Sequence, residues 1–183
     1  DHEEIKDIVD KLFKVFTSSI EKHGGYVDKY VGDQIMALFG ARVASEVDTH
    51  RAISCGLEML KMLDKFNDYI IIDKKINIGE NDRLSVRIGI NTGMVTTGIV
   101  GKGREGDFTA YGDVVNLASR MESSAPKNSI MVPENLANAV GNYFSFKNYK
   151  EIAVKGFSDK VKVCLVDSPR ETTHGSISIP YIG

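Results

Sequence analysis

Asn116 and Arg120 stand four residues apart in a stretch that reads as a helix. That spacing puts an amide and a guanidinium on one helix face. An amide beside a planar fork of N–H donors suits a sugar and a phosphate, and equally a solvated polar face. Asp33 follows Gly32 between two apolar runs. It is placed at a hairpin tip, either as a good turn residue or as a carboxylate projecting past the sheet edge. Lys29 lies four residues earlier, on the incoming strand.

Gly101, Gly103 and Gly106 spell GxGxxG. In a dinucleotide fold that turn opens a helix directly after a strand. Here Asp107-Phe108-Thr109-Ala110-Tyr111 follows, which is not a helix start. No acidic residue ends a second strand at the required distance, so a turn between two strands is expected. No Walker sequence, nucleophile elbow or Ser–His–Asp order is present. His2, His23, His50 and His174 are scattered, and Cys55 and Cys164 are isolated. No zinc site is expected, and the cysteines read as buried small hydrophobes in a reducing, cytoplasmic setting.

The elements that must position these residues follow from periodicity. Ile5, Ile8, Val9, Leu12, Phe16 and Ile20 mark an amphipathic helix that Gly24 and Gly25 stop. Residues 26–31 and 34–39 read as a hairpin. Ser45 caps a second helix reaching about Phe66, with Ile53, Leu57, Leu60 and Leu63 inward. Residues 67–82 read as a loop or inserted ribbon. Residues 84–90 read as a strand that Asn91-Thr92-Gly93 turns, with 95–100 returning it. Val114, Leu117, Ala118 and Met121 mark a third helix ending before Pro126. A short strand at 130–132, a short helix from Pro133 to about Val140, and strands at 144–153 and 161–166 complete the core. Helices interleaved with hairpin-linked strands imply an α/β fold with an antiparallel or mixed sheet and helices packed on it. Residues 1–167 form one expected domain, and the Ser/Thr/Gly/Pro-rich stretch 168–183 reads as a tail.

The chain of 183 residues is 42% hydrophobic and 26% charged, which excludes wholesale disorder, collagen and coiled-coil rods. With 23 Lys and Arg against 25 Asp and Glu, the formal charge is −2. No basic field points to nucleic acid or to an acidic membrane surface, and no apolar run approaches a membrane span.

Taken together and in order, residues 24–40, 87–93 (Arg-Ile-Gly-Ile-Asn-Thr-Gly), 108–122 and 154–157 (Val-Lys-Gly-Phe) closely resemble the class III nucleotidyl cyclases. The resemblance covers about residues 3–166 and implies a ferredoxin-like core working as a head-to-tail homodimer. It implies conversion of ATP to cyclic AMP and pyrophosphate for intracellular signalling, with Mg²⁺ or Mn²⁺ in a two-ion site. Asp33 matches the second metal aspartate. From the partner protomer, Asn116 matches the residue that orients the ribose, and Arg120 the one that stabilises charge on the α-phosphate. Lys155 matches a lysine that binds the terminal phosphates.

Lys29 matches the base-reading lysine. An ammonium only donates, which suits the N1 acceptor of adenine and not the N1 donor of guanine. Thr109 stands at the second base-reading position, where many adenylyl cyclases carry Asp. Its hydroxyl donates or accepts, which implies ATP preference with a softer filter. Thr here resembles the bacterial and soluble, bicarbonate-responsive branch.

One feature departs from the family. The first metal aspartate lies in a strand that should precede the first helix, so it is expected N-terminal to Asp1, in a longer protein that also carries a regulatory domain. The chain from Asp1 is expected to be weak or inactive by itself, and no direct membrane contact is expected from it. The rival readings are a non-catalytic cyclase-like dimerisation or nucleotide-sensing module, and a guanylate cyclase. A diguanylate cyclase would need Gly-Gly-(Asp/Glu)-Glu-Phe where this hairpin has Val31-Gly32-Asp33-Gln34-Ile35.

Overall fold

A computed structural model of the protein describes residues 2–41, 43–73, 83–100, 107–156 and 158–171, with the backbone only at 2–5, 72–73, 96–100 and 107–111. The first helix, α1 (His2–Lys22), buries Ile8, Leu12, Phe16 and Ile20 at i, i+4 spacing. That stripe packs on Cys55, Met59 and Leu63 of α2 (Asp48–Asp73). Ser19 and Lys22 reach Glu58 across the pair at 2.7 and 2.9 Å, and these bonds hold its carboxyl below the ordinary carboxylate range. Strands β1 (Gly25–Val31) and β2 (Gln34–Phe39) form the expected hairpin, which lays Val27, Ile35, Ala37 and Phe39 on the same cluster. Gly25 is the point of closest approach. A Cβ there would stand 2.7 Å from the Phe39 ring and 2.8 Å from Ile20.

Asp48 opens α2, and its Oδ2 accepts from the Ser45 N–H at 2.6 Å while Ser45 Oγ accepts from the Val47 N–H, a reciprocal cap at the expected place. The helix runs well past Phe66, so residues 67–73 are helix and not loop or ribbon. Asn67 is buried, and its side chain both donates to the Leu84 carbonyl and accepts from the Leu84 N–H, each at 2.9 Å. A polar side chain buried inside α2 is thereby satisfied. Residues 74–82 lie outside the described residues.

The main sheet is mixed, in the order β3-β6-β8-β7. β3 (Arg87–Gly89) runs parallel to β6 (Ser129–Pro133), and β6 and β7 (Phe144–Ile152) each pair antiparallel with β8 (Val161–Pro169). The fold class is therefore the mixed α/β arrangement expected. Ile130, Val132, Cys164 and Val166 cover one face with Ile53, Phe144 and the short helix α4 (Glu134–Ala139). Met131, Val163 and Leu165 cover the other with Leu117 and Met121 of α3 (Asp113–Ser124). β8 reaches Pro169, and the Arg170 guanidinium donates to the Gly141 and Phe144 carbonyls, so the sheet extends into the stretch read as tail. Residues 172–183 lie outside the described residues.

The expected return of the chain along β3 does not occur. β4 (Thr96–Val100) pairs with β5 (Asp107–Tyr111), from Thr96 opposite Tyr111 to Val100 opposite Asp107. The cause lies in the turn: Asn91 binds toward α3 and Gly93 adopts φ +156°. The glycine-rich residues 101–106 lie outside the described residues, but strands flank them on both sides, as the strand-to-strand reading requires. Both cysteines are buried and free. Among the described residues no helix is long and apolar enough to cross a membrane.

Candidate active site

α3 starts after Gly112, which has φ +125°. Leu117 and Met121 turn inward, leaving Asn116 and Arg120 exposed one turn apart, as the spacing predicts. Arg120 is not loose. Its Nε donates to the Ala153 carbonyl at 3.0 Å, which fixes the plane of the guanidinium against the chain leaving β7. Lys155 stands exposed in the turn two residues on, and Gly156 there adopts φ +93°. The structure thus brings Asn116, Arg120 and the Lys155 turn to one side of the main sheet.

Lys29 is half-buried on β1, beside a bulge at Asp28, with its ammonium 3.8 Å from the Asp28 carboxylate. Thr109 lies on β5 opposite Gly98. β5 comes up against β1 and leads directly into α3. The strands carrying both expected base-reading residues are therefore neighbours. Asp33 stands exposed at the hairpin tip, after Gly32 at φ +60°.

A contact that the sequence does not signal joins the hairpin to α3. Gln34 Nε2 donates to Glu122 Oε2 at 3.3 Å, between residues 88 positions apart. Also unforeseen is the role of the Ala153 carbonyl, since a backbone acceptor leaves no trace in residue type. Two hollows of about 620 and 440 Å³ lie elsewhere. The first is lined by Asp64, Asn67, Arg83 and Lys127 among others, the second by Glu21, Tyr26, Asp48 and Arg51 among others. Neither includes Lys29, Asp33, Asn116, Arg120 or Lys155. Asp33, Asn116, Arg120 and Lys155 are exposed in the single chain, and Lys29 is half-buried.

Among the described residues no three His, Cys, Asp or Glu side chains converge to hold a metal ion. Asp33 still fits one. Mg²⁺ and similar hard ions are held by one or two carboxylates together with substrate phosphates, not by an all-protein cage. Burial pushes the thiols of Cys55 and Cys164 up, away from thiolate chemistry.

Residues 1–168 match the family model described as the adenylate and guanylate cyclase catalytic domain. An adenylate cyclase of Anabaena cylindrica is 34% identical over 152 residues, covering 79% of this chain and 28% of its own length. The chain thus spans less than a third of that relative. The adenylyl cyclase CyaB of P. aeruginosa superposes with a TM-score of 0.84 at 30% identity, covering 95% of this chain and 87% of CyaB. The guanylyl cyclase Cya2 superposes with a TM-score of 0.83 at 29% identity, covering 94% of this chain and 84% of Cya2.

Proposed function

We propose that this chain, which belongs to the adenylate and guanylate cyclase catalytic domain family, converts ATP to 3′,5′-cyclic AMP and pyrophosphate. Domains of this family bind nucleotide, act as dimers and use a divalent metal. The observation that carries the proposal is the exposed pair on α3. Asn116 and Arg120 share a face, and Arg120 is oriented by the Ala153 carbonyl beside Lys155.

The ribose 3′-oxygen attacks the α-phosphorus and gives its proton to solvent, while the bond from that phosphorus to the bridging α,β oxygen breaks and pyrophosphate leaves with that oxygen. Asn116 holds the ribose so that the 3′-oxygen faces the phosphorus, which turns the reaction into one of orientation. Arg120 donates to the non-bridging α-phosphate oxygens, where charge accumulates in the transition state. Its Nε bond to Ala153 leaves the guanidinium pre-oriented for that task. Lys155 holds the terminal phosphates as a point charge. Asp33 would be one ligand of Mg²⁺ or Mn²⁺ in a two-ion site, where the metal would lower the pKa of the 3′-hydroxyl and offset the triphosphate charge.

In a head-to-tail homodimer, Asp33 of one protomer and Asn116, Arg120 and Lys155 of the other complete each site. Two such sites form per dimer. A cytoplasmic location fits the two free, buried thiols and an ATP substrate.

Lys29 and Thr109 select the base. The Lys29 ammonium donates to adenine N1, and the Thr109 hydroxyl serves N6 without demanding it. A specific observation keeps GTP in view: the guanylyl cyclase Cya2 superposes nearly as well as CyaB. The test is turnover of ATP and GTP side by side by the full protein with Mn²⁺. Cyclic AMP as the main product is expected, and Lys29→Glu should shift the ratio toward cyclic GMP by about tenfold or more. No cyclic nucleotide from either substrate would remove the enzyme reading and leave a non-catalytic dimerisation module.

A further inference from the structure

The run Arg87–Gly93 carries none of the binding roles given above, yet it packs tightly against α3. At the end of β3, Gly89 lies against the helix backbone. A Cβ there would stand 2.1 Å from the Ala118 carbonyl oxygen and 2.6 Å from the Glu122 nitrogen. Just beyond, the half-buried Asn91 spends both ends of its amide. Nδ2 donates to the Val114 carbonyl at 3.1 Å, and Oδ1 accepts from the Thr92 N–H at 2.9 Å. Gly93 then passes Val114 so closely that a Cβ would come within 2.8 Å of Val114 Cγ2.

These contacts grip α3 at Val114 and at Ala118, on either side of Asn116 along the helix. The grip matters because α3 has no side-chain cap of its own: Gly112 stands at the N-cap, and no side-chain cap bond is made there. The first turn is located from outside, by Asn91.

We propose that Asn91 is a positioning residue for Asn116 and Arg120. It touches neither ribose nor phosphate. It fixes the first turn of α3 against the end of β3, and so fixes where the amide and the guanidinium stand when substrate arrives. The proposal rests on the cyclase reading given above. It implies a particular kinetic signature. Base and terminal phosphates are held by Lys29 and Lys155, which do not depend on this tie, so ground-state binding persists while transition-state alignment is lost. A misplacement of about 1 Å can cost about 10²-fold in rate.

The test uses Asn91→Ala, Asn91→Asp and the double variant Asn91→Ala with Asn116→Ala. Asn91→Asp keeps the acceptor for the Thr92 N–H and replaces the donor to Val114 by a carboxylate oxygen that repels that carbonyl, whereas Asn91→Ala removes both bonds without adding charge. Both single variants are expected to lower kcat by about 10- to 100-fold with KM for ATP within about twofold. The double variant is expected to lose clearly less than the product of the two single losses, because Asn91 acts in part through Asn116 and in part through Arg120. Independently of activity, amide exchange in the first two turns of α3 should accelerate by about tenfold in Asn91→Asp while β6 stays unchanged. Multiplicative losses in the double variant, a raised KM at unchanged kcat, or equal acceleration of exchange in β6 would each reduce Asn91 to a general structural part and overturn the proposal. If the parent protein turns over neither ATP nor GTP, the cyclase reading falls separately. The tie is then judged by exchange alone, and unchanged α3 exchange in Asn91→Asp overturns it.

Discussion

α3 and the β1–β2 hairpin carry the two halves of the proposed chemistry, and they are held in different ways. α3 is gripped at backbone level. Gly89 lies against the Ala118 carbonyl and the Glu122 nitrogen, Asn91 binds Val114, Arg120 reaches Ala153, and Leu117 and Met121 are sunk into the sheet. The hairpin rests its base on α1 and α2 through Val27, Ile35, Ala37 and Phe39, but its tip stands in solvent. Tip and helix are joined by the side-chain bond from Gln34 to Glu122. The difference matches the tasks proposed for each. Transition-state donors work only when pre-oriented, so their helix is fixed from several sides. A metal-binding carboxylate takes its final geometry from the ion and the substrate phosphates, so its turn needs less of a frame.

The contrast can be broken in several places. The largest effect is expected for Arg120→Ala, a loss of about 10²–10³-fold in kcat from one missing donor group, measured by product formation at saturating ATP. A drop in melting temperature of about 10 °C in the same variant would mean that Arg120 serves mainly to hold Ala153.

Two glycine substitutions then compare the regions directly. Gly89→Ala drives a methyl into the backbone of α3 and should destabilise the fold by about 3 kcal/mol, lowering the melting point by about 10 °C. Gly32→Ala meets open space, and only its φ of +60° resists, so a cost of about 1 kcal/mol is expected. Equal effects in thermal melts would erase the distinction between frame and tip.

A smaller effect concerns pH. His50 packs on the rings of Tyr143 and Phe144, and burial lowers its pKa from 6.5. Below 6.5 the unfolded chain takes up a proton that the folded chain resists. Stability is therefore full above that pH and falls as pH drops toward the folded value. His50→Gln should flatten that part of the stability profile, measured by denaturant titration between pH 7 and 5. The smallest expected effect is at the joint itself. Gln34→Met should cost under about 1 kcal/mol, because the bond to Glu122 is exposed.

The same contrast governs what could be read from sequence. Local patterns are legible wherever neighbours in the chain are neighbours in space. The stripe from Ile8 to Ile20, the Gly32-Asp33 turn, the Ser45 cap and the Asn116–Arg120 face all rest on spacings of a few residues. Contacts between distant segments are not legible. Nothing in residues 84–100 says that β3 pairs in parallel with β6 while β4 pairs with β5. Asn67, inside the part of α2 not expected to be helical, clasps Leu84 from 17 residues away. Of the proposed site, the candidate residues and their order come from the motifs. What orients them does not: Asn91 reaches Val114 across 23 residues, and Arg120 reaches a backbone carbonyl across 33.

The central claim is that Asp33 and Asn116 of different protomers complete one site. It is tested most directly by mixing two inactive variants of the full protein, Asp33→Ala and Asn116→Ala, and measuring cyclic AMP formation. Each variant alone should be nearly silent. An equal mixture should recover about a quarter of the parent rate, since half the dimers then hold one intact site of two. A mixture as silent as its components, under conditions where the chains exchange, would contradict a site shared between protomers.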